Sequence, residues 1–423
     1  MIQRLLWMST LICAAFSVYG ADLPQYGSKQ HLGVATCASG VCHGSVRART
    51  SSPVAQNEYV IWSRRDRHRI SYNTLLTDES KSIARKMGLP NAHEAQICLD
   101  CHADNVAENL RGEQFQVNDG IGCEGCHGGG ETYISTHVDE ASERADNVAA
   151  GLYPTDDVRA RAKLCLSCHL GTGKKMASHD IMGAGHPRLS FELDTFGALQ
   201  PAHYAIDEDY REGKWSGSSI EVWAIGQVET SRHTLTLIKE RLNAKGLFPE
   251  LALFDCHACH HQMSDQRWSK SSWNDQPPGR VRLNDSSFIM LFAIAEVLQP
   301  GLDKQLQTAV RQLHTAVASD SSINDRISRL MSLLDQVDAR INGEDLMKKS
   351  PQLVGTIVNM AVSGSENDYV SAEQAIMAVE LLLDTSGLRT KYADWLDALY
   401  KTLEDEDKFR PGRFARVMRQ YDG

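Results

Sequence analysis

Residues 120–130 read Gly-Ile-Gly-Cys-Glu-Gly-Cys-His-Gly-Gly-Gly, and within them Cys123-Glu-Gly-Cys126-His127 sets two cysteines three apart with a histidine directly behind the second. The same pattern recurs as Cys98-Leu-Asp-Cys101-His102, Cys165-Leu-Ser-Cys168-His169 and Cys256-His-Ala-Cys259-His260. A chain of this composition would contain about 0.01 such pentapeptides by chance. C-x-x-C-H is the attachment signature of c-type haem. Its two thiols add to the two vinyl groups on one edge of the porphyrin. The next residue then lies under the iron, where its imidazole is the proximal ligand. Zinc sites also use C-x-x-C pairs, but they need no histidine after every second cysteine. Disulfides belong to the same compartments as haem c, yet a loop this short staples little.

A fifth group, Cys37-Ala-Ser-Gly-Val-Cys42-His43, has a longer gap. Both thiols can still reach the vinyls. Alternatively Cys42 makes one thioether with Ser39 in the place of the first cysteine, or Cys37 and Cys42 form a disulfide. Gly44 after His43 matches Gly128 after His127 and favours haem c. Five haems are expected, four at minimum.

The chain has 423 residues, 42% hydrophobic and 23% charged, with a net charge of -10. That composition excludes a disordered chain and a membrane bundle. The acidic balance speaks against a nucleic-acid partner, which calls for a basic face. Residues 1–20 read as a signal peptide: Arg4 is the lone early charge, Leu5 to Val18 is apolar, and a cleavage site precedes Ala21. An uncleaved anchor is the alternative, though the run is shorter than a spanning helix requires. Ile12 is too large for Cys13 to be lipidated. The mature chain is therefore expected in the periplasm, with no transmembrane segment.

All ten remaining cysteines precede residue 265. Residues 21–265 are expected to form the cofactor-bearing domain, with short helices at 59–76 and 219–245, the latter stopped by Gly246. Residues 266–282 are polar, carry Pro277-Pro278-Gly279 and read as a linker. Residues 283–423 hold no cysteine and one histidine, His314, expected to be a surface or hydrogen-bonded residue. Apolar residues recur there at three and four, as in Leu306, Val310, Leu313 and Val317. That predicts helices over 288–298, 302–317, 323–341, 351–362, 372–383 and 393–403. The fold class expected is mainly α, with no strands. Lys408, Arg410, Arg413, Arg416 and Arg419 make a basic C-terminal run, read as a solvated face or as a contact for an acidic partner or an anionic membrane surface.

His43, His102, His127, His169 and His260 are the proximal ligands expected. The chain has 16 histidines, and that surplus favours bis-His haems. His68, His137, His186 and His179 are the distal candidates. Arg64, Arg65, Arg67 and Arg69 surround His68 and could pair haem propionates. His137 follows a glycine run. His186 sits in Gly183-Ala-Gly185-His186-Pro187, where glycine lets backbone approach a flat ring. His31 and His233 are weaker candidates, and His257 and His261 flank a proximal histidine. Met176, Met182 and Met263 are alternative sulfur donors.

The 120–130 segment with His137, and Trp62 to His68 ahead of the Cys98 group, resemble the cytochrome c-552/4 family, typified by tetrahaem cytochrome c-554. The resemblance covers about residues 30–190. It implies a multihaem cytochrome c domain of short helices and loops around stacked haems, with His68 and His137 as distal ligands. The 182–193 segment is similar to longer multihaem relatives. The C-x4-C-H group and the all-helical C-terminal domain depart from the tetrahaem pattern. The function implied is electron transfer between redox partners, other cytochromes or a membrane quinol-linked complex. The alternative is an oxidoreductase acting on a small nitrogen or sulfur compound at one five-coordinate haem.

Overall fold

Most helices of the C-terminal third carry an apolar stripe, as their three-and-four spacing requires. The computed structural model describes residues 22–50, 54–214, 217–241, 250–260, 273, 277, 280, 282–319, 322–365 and 367–423. Among these the fold is mainly α, with 21 α-helices and two isolated bridges, His31 with Arg111 and Phe254 with Leu283. The six expected C-terminal helices are Ser286–Leu298, Leu302–Ser319, Ile323–Asp338, Ser350–Val362, Tyr369–Thr385 and Ala393–Tyr400. Two more, Gly343–Lys348 and Pro411–Met418, were hidden by their shortness. The first is started by the Asn342 side chain, which accepts the Asp345 N–H, and the second by Pro411 at its first position. Ser286–Leu298 is apolar on every side, and Phe288 to Ala295 are all buried. It is the central helix, packed by Leu302–Ser319, Ser350–Val362 and Tyr369–Thr385.

Two expectations meet the packing directly. The helix Ser219–Arg241 precedes the expected linker, yet it packs against Ser286–Leu298, Ile323–Asp338 and Tyr369–Thr385. Its Ile220, Trp223, Val228, Leu235 and Ile238 share one hydrophobic cluster with residues as far as Met418. Its Val222 and Ile225 pack instead on Val158, Ala162, Leu166 and Leu193. Because it is apolar on two faces, this helix joins the cysteine-rich region to the C-terminal helices. The boundary expected at 266–282 does not divide the packing. Trp273 is buried with its ring centre 5.0 Å from that of Phe292, and the half-buried Arg282 sits between Asp285 and Asp368. Residues 1–20, Lys245, Gly246, His261, Met263, Pro278 and Gly279 lie outside the described residues.

The second concerns 59–76, and it is corrected. The expected single helix is three pieces, Glu58–Arg65, Arg67–Ile70 and Ser71–Thr74. Asp66 turns extended (φ -81°, ψ 128°), and its carboxylate accepts the His68 N–H at 2.9 Å to start the next turn. His68 therefore lies on a separate turn from the helix Glu58–Arg65.

Candidate functional site

One helical turn puts residues i, i+3 and i+4 on one face. Cys98, Cys101 and His102 lie on helix Gln96–His102, and Cys123, Cys126 and His127 on helix Cys123–His127. Cys165, Cys168 and His169 close helix Val158–His169. In each, both thiols and the imidazole leave on one side. Cys256 opens the turn Cys256–Ala258, with Cys259 and His260 just beyond it. Cys37 ends the turn Val34–Cys37, and a tight loop brings the chain back. There Cys42 and Gly44 N–H groups donate to Ser39 O at 2.9 Å each, and His43 N–H donates to Cys37 O at 3.2 Å. A Cβ on Gly44 would stand 1.9 Å from Ala38 O, so only glycine fits the return. This loop is how a C-x4-C-H group can present Cys37, Cys42 and His43 together. None of the ten described cysteines is paired in a disulfide, Cys37 and Cys42 included.

The histidines meet in pairs. Ring centres lie 6.2 Å apart for His43 and His137, 6.3 Å for His102 and His186, and 6.1 Å for His127 and His203. They lie 6.3 Å apart for His169 and His68, and 6.0 Å for His260 and His179. A metal held between two imidazoles needs about 2 Å to each nitrogen and about 1.1 Å from nitrogen to ring centre, which sets the centres about 6 Å apart. Each cysteine group thus has the two imidazoles that a bis-His haem requires. No group of three or more His, Cys, Asp or Glu converges as a metal cage among the described residues, as a zinc site would need.

Hydrogen bonds orient these rings. The Nδ1 atoms of His43 and His68 bond to Glu58 Oε2 (3.0 Å) and Asp66 Oδ1 (2.9 Å). Those of His137, His102 and His186 bond to the carbonyls of Tyr133 (3.0 Å), Ser71 (3.1 Å) and Pro187 (2.8 Å). An acceptor at Nδ1 keeps the proton there and leaves the Nε2 lone pair for a metal. Burial pushes His127 down to about 4 and lowers His102 and His169 from the ordinary histidine value. Neutral imidazoles are the coordinating form. Glu124, between the two cysteines of its group, is buried and accepts the N–H groups of Leu32, Gly33 and Gly130, each at 2.7 Å. That carboxylate ties two backbone segments, 32–33 and 130, to the turn.

Four further described histidines are engaged elsewhere. His31 is buried with Nδ1 2.7 Å from Asp104; burial works to lower its pKa, but Asp104 raises it on balance. His233 Nε2, the nitrogen a metal would need, bonds to Gly171 O at 2.5 Å. His257 Nε2 faces Glu406 at 3.3 Å. His314 is buried between Asp285 (3.0 Å) and the Leu283 N–H (3.3 Å), a hydrogen-bonded core histidine. Met176 is buried in the apolar cluster. Arg64, Arg65, Arg67 and Arg69 are exposed. His203 had no local signal in Pro201-Ala-His203-Tyr204; only the arithmetic of five proximal histidines against four assigned partners points to it.

The groups neighbour one another out of chain order. The Cys37 thiol meets that of Cys123, and the Cys101 thiol meets that of Cys168. Cys126 lies near Cys165 and Cys168. His179 and His186 stand at either end of one short helical segment and face the Cys256 and Cys98 groups. The spatial sequence is 37–43, 123–127, 165–169, 98–102, 256–260.

Residues 36–128 match the family described as cytochrome c554 and c-prime, a stretch that holds three of the five cysteine groups and His68. No curated protein and no solved structure matches the chain.

Proposed function

We propose that this chain, a c-type cytochrome, is a periplasmic five-haem electron carrier in which every haem has two imidazole ligands. The observation that carries the reading is the five histidine pairs with ring centres 6.0 to 6.3 Å apart. Cys37 and Cys42, Cys98 and Cys101, Cys123 and Cys126, Cys165 and Cys168, and Cys256 and Cys259 would form the thioethers. His43, His102, His127, His169 and His260 would be proximal, and His137, His186, His203, His68 and His179 distal. Bound haem supplies a one-electron ferric/ferrous couple, which two imidazoles hold at low potential. The protein's part is to fix the rings through the acceptors at Nδ1.

Catalysis on a small nitrogen or sulfur compound would require a cysteine-linked histidine with no imidazole opposite. Each of the five has one opposite. Electrons would pass along the spatial order of the groups and leave at either end, to other cytochromes or a membrane quinol-linked complex. No helix among the described residues is long and apolar enough to cross a membrane.

Intact mass of the purified holoprotein is expected to exceed the processed chain by five haems, and its oxidised EPR spectrum to be low-spin throughout. A ferric high-spin signal in the intact protein would mark an open haem and favour the oxidoreductase reading. A mass excess of four haems would remove the Cys37–Cys42 group.

A further inference from the structure

Lys175 lies just beyond His169, in a turn that no imidazole pair uses. Its side chain is 2% exposed. Its Nζ donates to the Asp100 carbonyl at 2.8 Å and to Gln25 Oε1, and stands 3.0 Å from Cys168 Sγ. Those partners are a carbonyl, an amide and a sulfur; none is a carboxylate. Asp100 lies between Cys98 and Cys101, and the Cys101 thiol meets that of Cys168. The ammonium therefore sits where two cysteine groups touch.

An ammonium removed from water without a counter-charge is unfavourable, and the chain builds a bracket that holds it there. Thr172 N–H donates to Lys175 O at 2.5 Å, and the Lys174 and Lys175 N–H groups donate to Thr172 Oγ1 at 3.2 Å. Gly171 has φ +101°, and a Cβ there would stand 2.8 Å from Lys175 O. From the long helix Ser219–Arg241, His233 bonds Gly171 O and Glu240 accepts the Gly173 N–H at 2.8 Å. This gives His233 a positioning role in place of ligation.

We propose that Lys175 sets the reduction potential of the haems attached at Cys101 and Cys168. A fixed positive charge in a poorly screened interior favours the state with one more electron and so raises the potential. The inference rests on the haem assignment above.

The test is spectroelectrochemical titration of full-length holoprotein, with haem count by intact mass on each sample. Lys175→Met is expected to lower at least one midpoint by a tenfold change in the one-electron equilibrium, about 59 mV. Gln25→Glu leaves the lysine in place but sets a carboxylate against it, and should move the same midpoint the same way. Lys175→Arg should hold it near the wild-type value. Unchanged midpoints in Lys175→Met and Gln25→Glu at full haem count would overturn the proposal. If Lys175→Met does not assemble, Gln25→Glu decides alone. A wild-type mass lacking haem at these groups would overturn the haem assignment and this inference with it, a failure read from the mass and not from the midpoints.

Discussion

The facing imidazoles differ in the angle between their rings. His43 and His137 lie 13° from parallel and His179 and His260 35°, while His68/His169, His102/His186 and His127/His203 cross at 86°, 82° and 89°. An imidazole donates π density from the orbital normal to its ring. Parallel rings separate the two iron d orbitals that receive it, and crossed rings leave them nearly equal. The oxidised holoprotein should therefore show two low-spin EPR classes, a rhombic one from two haems and one of large maximum g from three. A single rhombic class would contradict the crossed geometry. His203→Ala should open one position, giving a ferric high-spin signal and removing one member of the crossed class; an unchanged spectrum would strike His203 from the ligands. Five histidines could be named as proximal candidates because thioether chemistry would fix them one residue past a cysteine. His68, His137, His179 and His186 were legible only as candidates, since their partners come from distant parts of the chain. His203 was not assigned at all, because nothing in its neighbourhood marks it. Asp66 and Glu58, which orient His68 and His43, act through folded geometry that no spacing encodes.

Between elements, Asp338 joins two helices of the cysteine-rich region to a C-terminal one. It ends Ile323–Asp338 and accepts from Arg159 of Val158–His169 and, at 3.0 Å, from Arg232 of Ser219–Arg241. Burial alone would raise its pKa, but the two guanidinium groups hold it below the ordinary aspartate value. A depressed carboxylate contributes stability that is complete above its unfolded pKa, about 4. That contribution is lost as pH falls through the lower folded value. Asp338→Asn should therefore destabilise the protein at about pH 6 by on the order of 1 kcal/mol, because Arg159 is partly exposed and solvent screens the pair. The gap between variant and wild type in thermal unfolding should narrow on acidification to about pH 3. A gap that widened would assign the wrong sign to the interaction. The helices themselves were readable from apolar periodicity. Their joints were not: the break at Asp66 and this bridge depend on side chains meeting across long stretches of sequence.

Across the whole molecule, the mainly α class was legible because periodicity and cysteine spacing are local. The division at 266–282 was a reading of composition, and composition cannot see that one helix buries both faces. The consequence can be tested by ending the chain after Gly279. On composition alone the shortened protein would be soluble with its haems intact. In the structure it would lose the cover over Ile220, Trp223, Val228, Leu235, Leu237 and Ile238, each at most 3% exposed. At about 1.5 to 3 kcal/mol per large buried side chain, that exposure costs on the order of 10 kcal/mol, the scale of a domain's whole stability. The cut would also remove contacts that hold the Cys256 group: the Asp255 N–H to Arg282 O at 2.9 Å, the Asn284 N–H to Leu253 O at 2.9 Å, and Glu406 against His257. Arg188 would lose Glu373 and Glu406 as well. Expression of residues 1–279 is therefore expected to give aggregated or haem-deficient protein, with the fifth haem lost first. Intact mass and size-exclusion chromatography read both outcomes. A monodisperse fragment with every haem in place would show that the C-terminal helices fold as an appended unit, and that the long helix can expose its apolar face without cost.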